Sequence, residues 1–222
     1  MHLLFKSLAA VAFLAPMVLE SQVIIDQNAP TVNAIMAQFD QPDLAQSFRP
    51  LSSLINGAGI YLYPGLGTGT STVTISLWDL LPNVIGANQL ATGSTSVSAN
   101  GMWVDVGWSE VSVVSGQTYY LVFSSTIKTY AIAGDENNGY ANGQVFANAG
   151  FATFQQYNLP GFPADPTIAG SYIQSFDRFD YTFRTLTVVP EPASVVLVGS
   201  ALMLLGGMSA TRRGKRSNAT SL

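Results

Sequence analysis

The sequence predicts an all-β fold: a single β-sandwich, jelly-roll-like, over residues 23–188, set between an N-terminal signal peptide and a C-terminal transmembrane helix. Three observations predict it. Apolar residues recur with a period of two, turn-forming dipeptides interrupt them at short intervals, and no segment of the body sustains the helical period of 3.6. Many short strands with turns between them are the pattern of a sandwich.

In chain order, the first element is a leader, residues 1–22. Lys6 precedes an apolar stretch, Leu8 to Leu19, which has the length of a signal-peptide core and is too short to span a bilayer comfortably. Ser21 is an acceptable small residue for cleavage and Leu19 is not, so the mature chain is expected to begin between Gln22 and Ile25.

The strands of the body follow. Val73, Ile75 and Leu77 alternate with Thr72, Thr74 and Ser76; Met102, Val104, Val106 and Trp108 with Trp103, Asp105 and Gly107; Tyr119, Leu121 and Phe123 with Tyr120, Val122 and Ser124. Alternation of this kind gives each strand one apolar and one polar face. Further strands are expected at Ala45 to Arg49, Ile55 to Tyr63, Glu110 to Val114, Lys128 to Ala133, Gln144 to Asn148 and Phe179 to Val188. Breakers such as Pro64-Gly65, Pro82-Asn83, Asn100-Gly101, Ser115-Gly116 and Asn138-Gly139 separate them. Thr31 to Phe39 is ambiguous, and Ala147 to Pro166, rich in Phe, Gln, Gly and Pro, reads as the longest loop.

The last element is residues 189–216. Val189-Pro190-Glu191-Pro192 leads into an apolar run from Ala193 to Met208 and then to Arg212, Arg213, Lys215 and Arg216, a basic stop over 212–216. The prolines favour a stiff, extended spacer. The run holds about 16 residues, or about 24 Å as a helix, and flanking small residues extend that helix to about 193–210. Cations placed directly after a span stay cytoplasmic, which leaves the body outside.

Pro190, Glu191 and Pro192, the short apolar helix and the basic end resemble the PEP-CTERM sorting signal, a segment also catalogued as an "ice-binding protein C-terminal" domain. The resemblance implies recognition by an exosortase, a membrane-embedded cysteine protease, with cleavage near the motif and release or re-anchoring at the cell surface. A plain transmembrane anchor is the alternative. Within the body, Ala45-Gln46-Ser47-Phe48, Val73 to Trp78, Ser115 to Val122 and Tyr181 to Thr185 resemble a choice-of-anchor R type domain. That resemblance implies the same fold and location, and no assigned chemistry.

Charge is informative once the ends are removed. Of nine Lys and Arg residues, the body keeps Arg49, Lys128, Arg178 and Arg184. Twelve acids remain after Glu20 leaves with the leader, Glu191 included, so four cations against twelve acids make the exported part about −8, where the whole chain is −4. Such a surface disfavours nucleic acid and anionic lipid and is compatible with calcium, cationic surfaces or neutral glycans. Cysteine is absent, so stability rests on a core without disulfides.

The chemistry available is narrow. The one histidine is His2, in the leader, which with the lack of cysteine excludes a Ser-His-Asp triad, a Cys-His pair and an ordinary zinc site from the mature domain. No catalytic residue is assigned. Paired carboxylates remain as an alternative, a secreted glycan-active enzyme, although Asp177 and Asp180 would face opposite sides of a strand and Asp135 and Glu136 are adjacent in a loop.

Binding is the leading expectation. Tyr61, Tyr63, Trp103, Tyr140 and Tyr157, with Tyr172, are candidates to offer flat rings to sugar C–H faces; Trp108 continues the core register, whereas Trp103 falls on the opposite face. Asp135, Glu136 and Asn137 form the densest group of oxygen ligands. They fit either a calcium site, which would make the protein a calcium-dependent adhesin, or a solvated turn. No other cofactor is expected. The expected protein is exported and non-catalytic, passes through an inner-membrane intermediate, and serves as a surface or extracellular-matrix component associated with exopolysaccharide.

Overall fold

Alternation along the sequence becomes alternation across sheets. The computed structural model describes residues 22–147, 172–176 and 179–189. Residues 1–21 of the expected leader, the Pro190-Glu191-Pro192 motif, the apolar helix, Arg212, Arg213, Lys215, Arg216 and Tyr157 lie outside the described residues. Val23–Val189 clusters as one unit.

Among the described residues there is no helix, and the elements are β1 (Gln22–Ala29), β2 (Ala34–Gln38), β3 (Leu44–Phe48), β4 (Leu54–Tyr61), β5 (Ser71–Trp78), β6 (Gln89–Val97), β7 (Trp103–Ser112), β8 (Tyr119–Ser125), β9 (Ala131–Asp135), β10 (Val145–Ala147), β11 (Ile173–Phe176), β12 (Asp180–Tyr181) and β13 (Phe183–Val189). They form a four-stranded sheet, β1-β13-β4-β7, a six-stranded sheet, β11-β10-β3-β8-β5-β6, and a three-stranded sheet, β12-β9-β2. The pairing is antiparallel.

One core serves all three sheets. Val73, Ile75 and Leu77 of β5 and Leu121 and Phe123 of β8 cluster with Ile60 of β4 and with Val104 and Val106 of β7. Aromatic rings make the crossings. Phe48 of β3 lies 6.4 Å, centroid to centroid, from Phe183 of β13, and Phe123 of β8 meets Tyr181 of β12 edge-on at 5.5 Å. Beyond β4, Tyr63 N–H donates to the Ala131 carbonyl at 2.8 Å and ties the four-stranded sheet to β9.

Several elements depart from the expected pattern. The ambiguous segment is β2, whose register against β9 shifts between Ile35 and Ala37. The two strands expected at Met102 to Trp108 and Glu110 to Val114 are one strand, β7. Its register to β4 runs through Gly57↔Gly107 and Ile55↔Val111, which sets Trp108, Ser109 and Glu110 opposite Asn56 alone. This is a bulge, and a bulge bends a strand without ending it. Trp108 Nε1 donates across it to the Ile55 carbonyl at 3.3 Å, while Met102 stays outside the strand, 43% exposed.

Three strands, β1, β6 and β11, had no expectation. β6 is built of Gln, Leu, Ala, Thr, Gly and Ser with a single buried valine, and its register comes from β5: Thr74 faces Ser94 with their hydroxyl oxygens 2.7 Å apart. β1 begins where the leader was expected to end.

Phe183 is wholly buried against Phe48 and, at 5.1 Å, against Tyr140. Phe183→Ala is therefore expected to cost about 3–5 kcal/mol, the usual range for an aromatic core truncation. Urea unfolding measures it, and an unchanged midpoint would mean that this contact does not join the sheets.

Candidate functional site

The outer face of the four-stranded sheet gathers four side chains from three strands. In the order β13-β4-β7, Arg184 stands opposite Gly59 and Gly59 opposite Asp105; Tyr61 stands opposite Trp103. Phe183, Ile60 and Val104, their chain neighbours, are buried in the core. Since strand side chains alternate, Arg184, Asp105, Trp103 and Tyr61 project together from the opposite face.

Arg184 and Asp105 sit on strands that are not neighbours, roughly 10 Å apart at ordinary strand spacing. They meet above Gly59. A Cβ on Gly59 would run into Asp105 Oδ1, so only glycine leaves the path open. Arg184 Nε donates to Asp105 Oδ1 at 2.8 Å and Nη2 donates to Oδ2, a bidentate pair. The Arg184 and Asp105 side chains are 21% and 39% exposed, so the pair contributes at most about 1 kcal/mol to stability. Its larger effect is orientation: the guanidinium carbon is held 4.3 Å from the centroid of the Trp103 ring.

Trp103 is fixed from a second side. Tyr61 packs edge-on against it at 5.7 Å and 83°, and the Tyr61 hydroxyl donates to the Gly101 carbonyl at 2.7 Å. The result is a half-exposed aromatic surface flanked by a donor fork and a carboxylate. Sugar rings bind by packing C–H faces on an aromatic ring while hydroxyls take hydrogen bonds at its edge, and this surface presents both kinds of partner.

The other expected site residues lie elsewhere. Tyr63 is half-buried at the exit of β4. Tyr172 is half-buried with a left-handed backbone, φ 53°. Tyr140 was expected to offer a ring to a ligand; it is 6% exposed, with its ring against Phe183 and its hydroxyl donating to Gln27 Oε1 at 2.9 Å. It is a core residue. Asp135 is buried and committed to its own turn, accepting from Asn33 Nδ2 at 2.7 Å and from Asn137 N–H at 2.9 Å, while Glu136 N–H donates to Asn33 Oδ1 at 3.2 Å. Among the described residues no group of three or more His, Cys, Asp or Glu side chains is placed to hold a metal.

A carboxylate pair does form, between residues that no local pattern connects. Asp180 of β12 stands opposite Asp135 of β9 and is wholly buried. Gln46 Nε2 donates to Asp180 Oδ1 at 3.0 Å and Tyr140 N–H to Oδ2 at 2.8 Å. Burial pushes the Asp180 carboxyl up to about 6, against the pull of the hydrogen bonds from Tyr140 and Gln46, and the charge of Asp135 adds to the rise. Both carboxylates are satisfied by the protein itself, an arrangement suited to holding strands in place.

Because Asp180 keeps its proton to higher pH in the folded chain than the ordinary 3.8, the folded state binds more protons between about pH 4 and 6. The stability this group contributes is full below about pH 4 and lost as pH rises through about 6. Unfolding curves of the parent protein and of Asp180→Asn should therefore differ by about 1 kcal/mol more in the parent's favour at pH 5 than at pH 7. A pH-independent difference would contradict the raised carboxyl. No family model matches the chain, and no curated protein matches it.

Proposed function

We propose that this protein is an exported, non-catalytic surface or extracellular-matrix component that holds exopolysaccharide on the outer face of its four-stranded sheet. The observation that carries the reading is the Tyr61–Trp103–Arg184–Asp105 surface, an aromatic face with polar partners fixed at its edge. The absence of cysteine and of histidine beyond His2 supports a binding role. So does the internal use of the Asp135–Asp180 pair. In this reading the sheets form a jelly-roll-like β-sandwich, supported by the core that the six- and four-stranded sheets share through Phe48 and Phe183. Export follows from the leader at 1–22 and sorting from residues 189–216, where an exosortase acts at Pro190-Glu191-Pro192 on an inner-membrane intermediate before the body reaches the cell surface or the medium.

Two measurements test it. Affinity electrophoresis of the mature protein in its producer's exopolysaccharide should show retention, weakened at least about tenfold, or about 1.4 kcal/mol, by Trp103→Ala. Equal mobility with and without the polysaccharide would remove the glycan role. Mass spectrometry of the protein recovered from its host should find the segment after Pro192 missing, whereas an intact C-terminus would leave a transmembrane anchor in place of a sorting signal.

A further inference from the structure

The outer face of the six-stranded sheet carries a second, differently built site. Where β3, β8 and β10 run side by side there is a cleft of about 340 Å³, lined by Ser47, Arg49, Tyr120, Asn142, Gln144 and Phe146 among others. Its size falls at the lower end of small-ligand sites, roughly 300–1,000 Å³. Tyr120 alternates with the buried Tyr119 and Leu121, so its ring points away from the core and gives the cleft an aromatic floor; the buried Phe146 meets it edge-on at 5.7 Å and holds it in place.

The wall is polar and closely held. Ser47 N–H donates to the Gln144 carbonyl at 2.9 Å, and Gln144 N–H donates back to Ser47 Oγ at 2.8 Å. Gly143 permits this approach, because a Cβ there would run into the Ser47 carbonyl oxygen. Asn142 and Gln144 are thereby set along the edge of the cleft.

Arg49 stands at the rim, exposed. Its backbone N–H donates to the Tyr140 hydroxyl at 3.1 Å, and its Nε is 3.4 Å from Thr118 Oγ1. Among the described residues the one ion pair is Arg184–Asp105, so the described carboxylates leave the Arg49 guanidinium without a counter-charge. In a strongly acidic body that is an uncommon placement. A guanidinium takes a carboxylate through two parallel hydrogen bonds, an aromatic floor takes the C–H face of a sugar ring, and amide and hydroxyl groups take its hydroxyls.

We propose that this cleft binds the carboxylate-bearing sugar units of an acidic polysaccharide, with Arg49 on the carboxylate and Tyr120, braced by Phe146, beneath the ring. The inference rests on the glycan-binding reading and names the class of sugar. Titration calorimetry of the mature protein with a short oligogalacturonate, with its methyl ester and with a glutamate peptide tests it. Expected are binding of the oligogalacturonate, at least tenfold weaker binding of the ester and the peptide, and at least a tenfold loss in Arg49→Gln with an unchanged melting curve. Trp103→Ala should leave this titration unaltered. Equal binding of acid and ester, or no effect of Arg49→Gln, would overturn the proposal, and peptide binding as tight as the sugar's would replace it with a protein-docking site. Oligogalacturonate binding without retention by the producer's exopolysaccharide would keep the cleft and sink the broader reading; retention that Trp103→Ala abolishes and Arg49→Gln does not touch would do the reverse.

Discussion

The buried carboxylate of Asp180 is the constraint on which the rest of the domain depends. Without cysteine the chain has no covalent cross-link, and its three sheets have to be joined by packing and hydrogen bonds alone. Asp180 accepts from Gln46 in β3 and from the backbone of Tyr140, while Tyr181 N–H donates to Gln46 Oε1 at 2.9 Å. A buried charge is costly unless it is hydrogen-bonded, so these segments cannot separate one at a time without leaving a carboxylate stranded in the core. A few polar contacts, each reaching far along the chain, thus supply the long-range connection that a disulfide supplies elsewhere.

From Asp180 the structure runs in two directions, one to each proposed site. Along the chain, β12 turns at Thr182 into β13, and Phe183 and Arg184 follow at once, the first facing the core and the second facing Trp103. Across the fold, the fixed backbone of Tyr140 carries its ring onto Phe183 and its hydroxyl to Gln27 and to the N–H of Arg49. Immediately after Tyr140 come Ala141, Asn142, Gly143 and Gln144, the wall of the cleft. Both surfaces are therefore reached from one polar centre, through Phe183 on one side and Tyr140 on the other, and the cleft does not use the Arg184–Asp105 pair.

Alternation made β5, β7 and β8 legible in the sequence, and with them the outward position of Trp103 and the inward positions of Val104 and Val106. What alternation could not carry was partnership. Arg184 reaches Asp105 across a strand that neither belongs to, and the path exists because Gly59 has no side chain; in the sequence that glycine reads as a loss of strand character. The bulge in β7 was invisible for a related reason, since its register is set by β4 and no breaker marks it. Tyr140 read as one candidate ring for ligands among several, and in the sequence it stands directly after the turn dipeptide Asn138-Gly139. The core claims it through Phe183, a contact between residues distant in sequence. Asp180 likewise has no local signal, because its counterpart Asp135 and its donors come from other strands.

The range over which charge acts makes the proposed acidic ligand compatible with an acidic body. Net charge acts through the long-range field, and at 0.1 M salt that field is screened beyond about 10 Å. A contact at the rim of a cleft is governed by what stands within a few ångströms, and among the described residues the Arg49 guanidinium stands beside neutral hydroxyl, amide and aromatic groups. Arg184, with a similar side chain, is neutralised by Asp105 and held flat on a tryptophan, so its surface is polar without being cationic. The two faces therefore differ in the sugar chemistry they match: the platform suits a neutral ring through stacking, and the cleft suits a ring that bears a carboxylate. In the proposed sandwich, a polysaccharide with both kinds of unit would engage opposite faces of the same domain, which is the geometry of a cross-link.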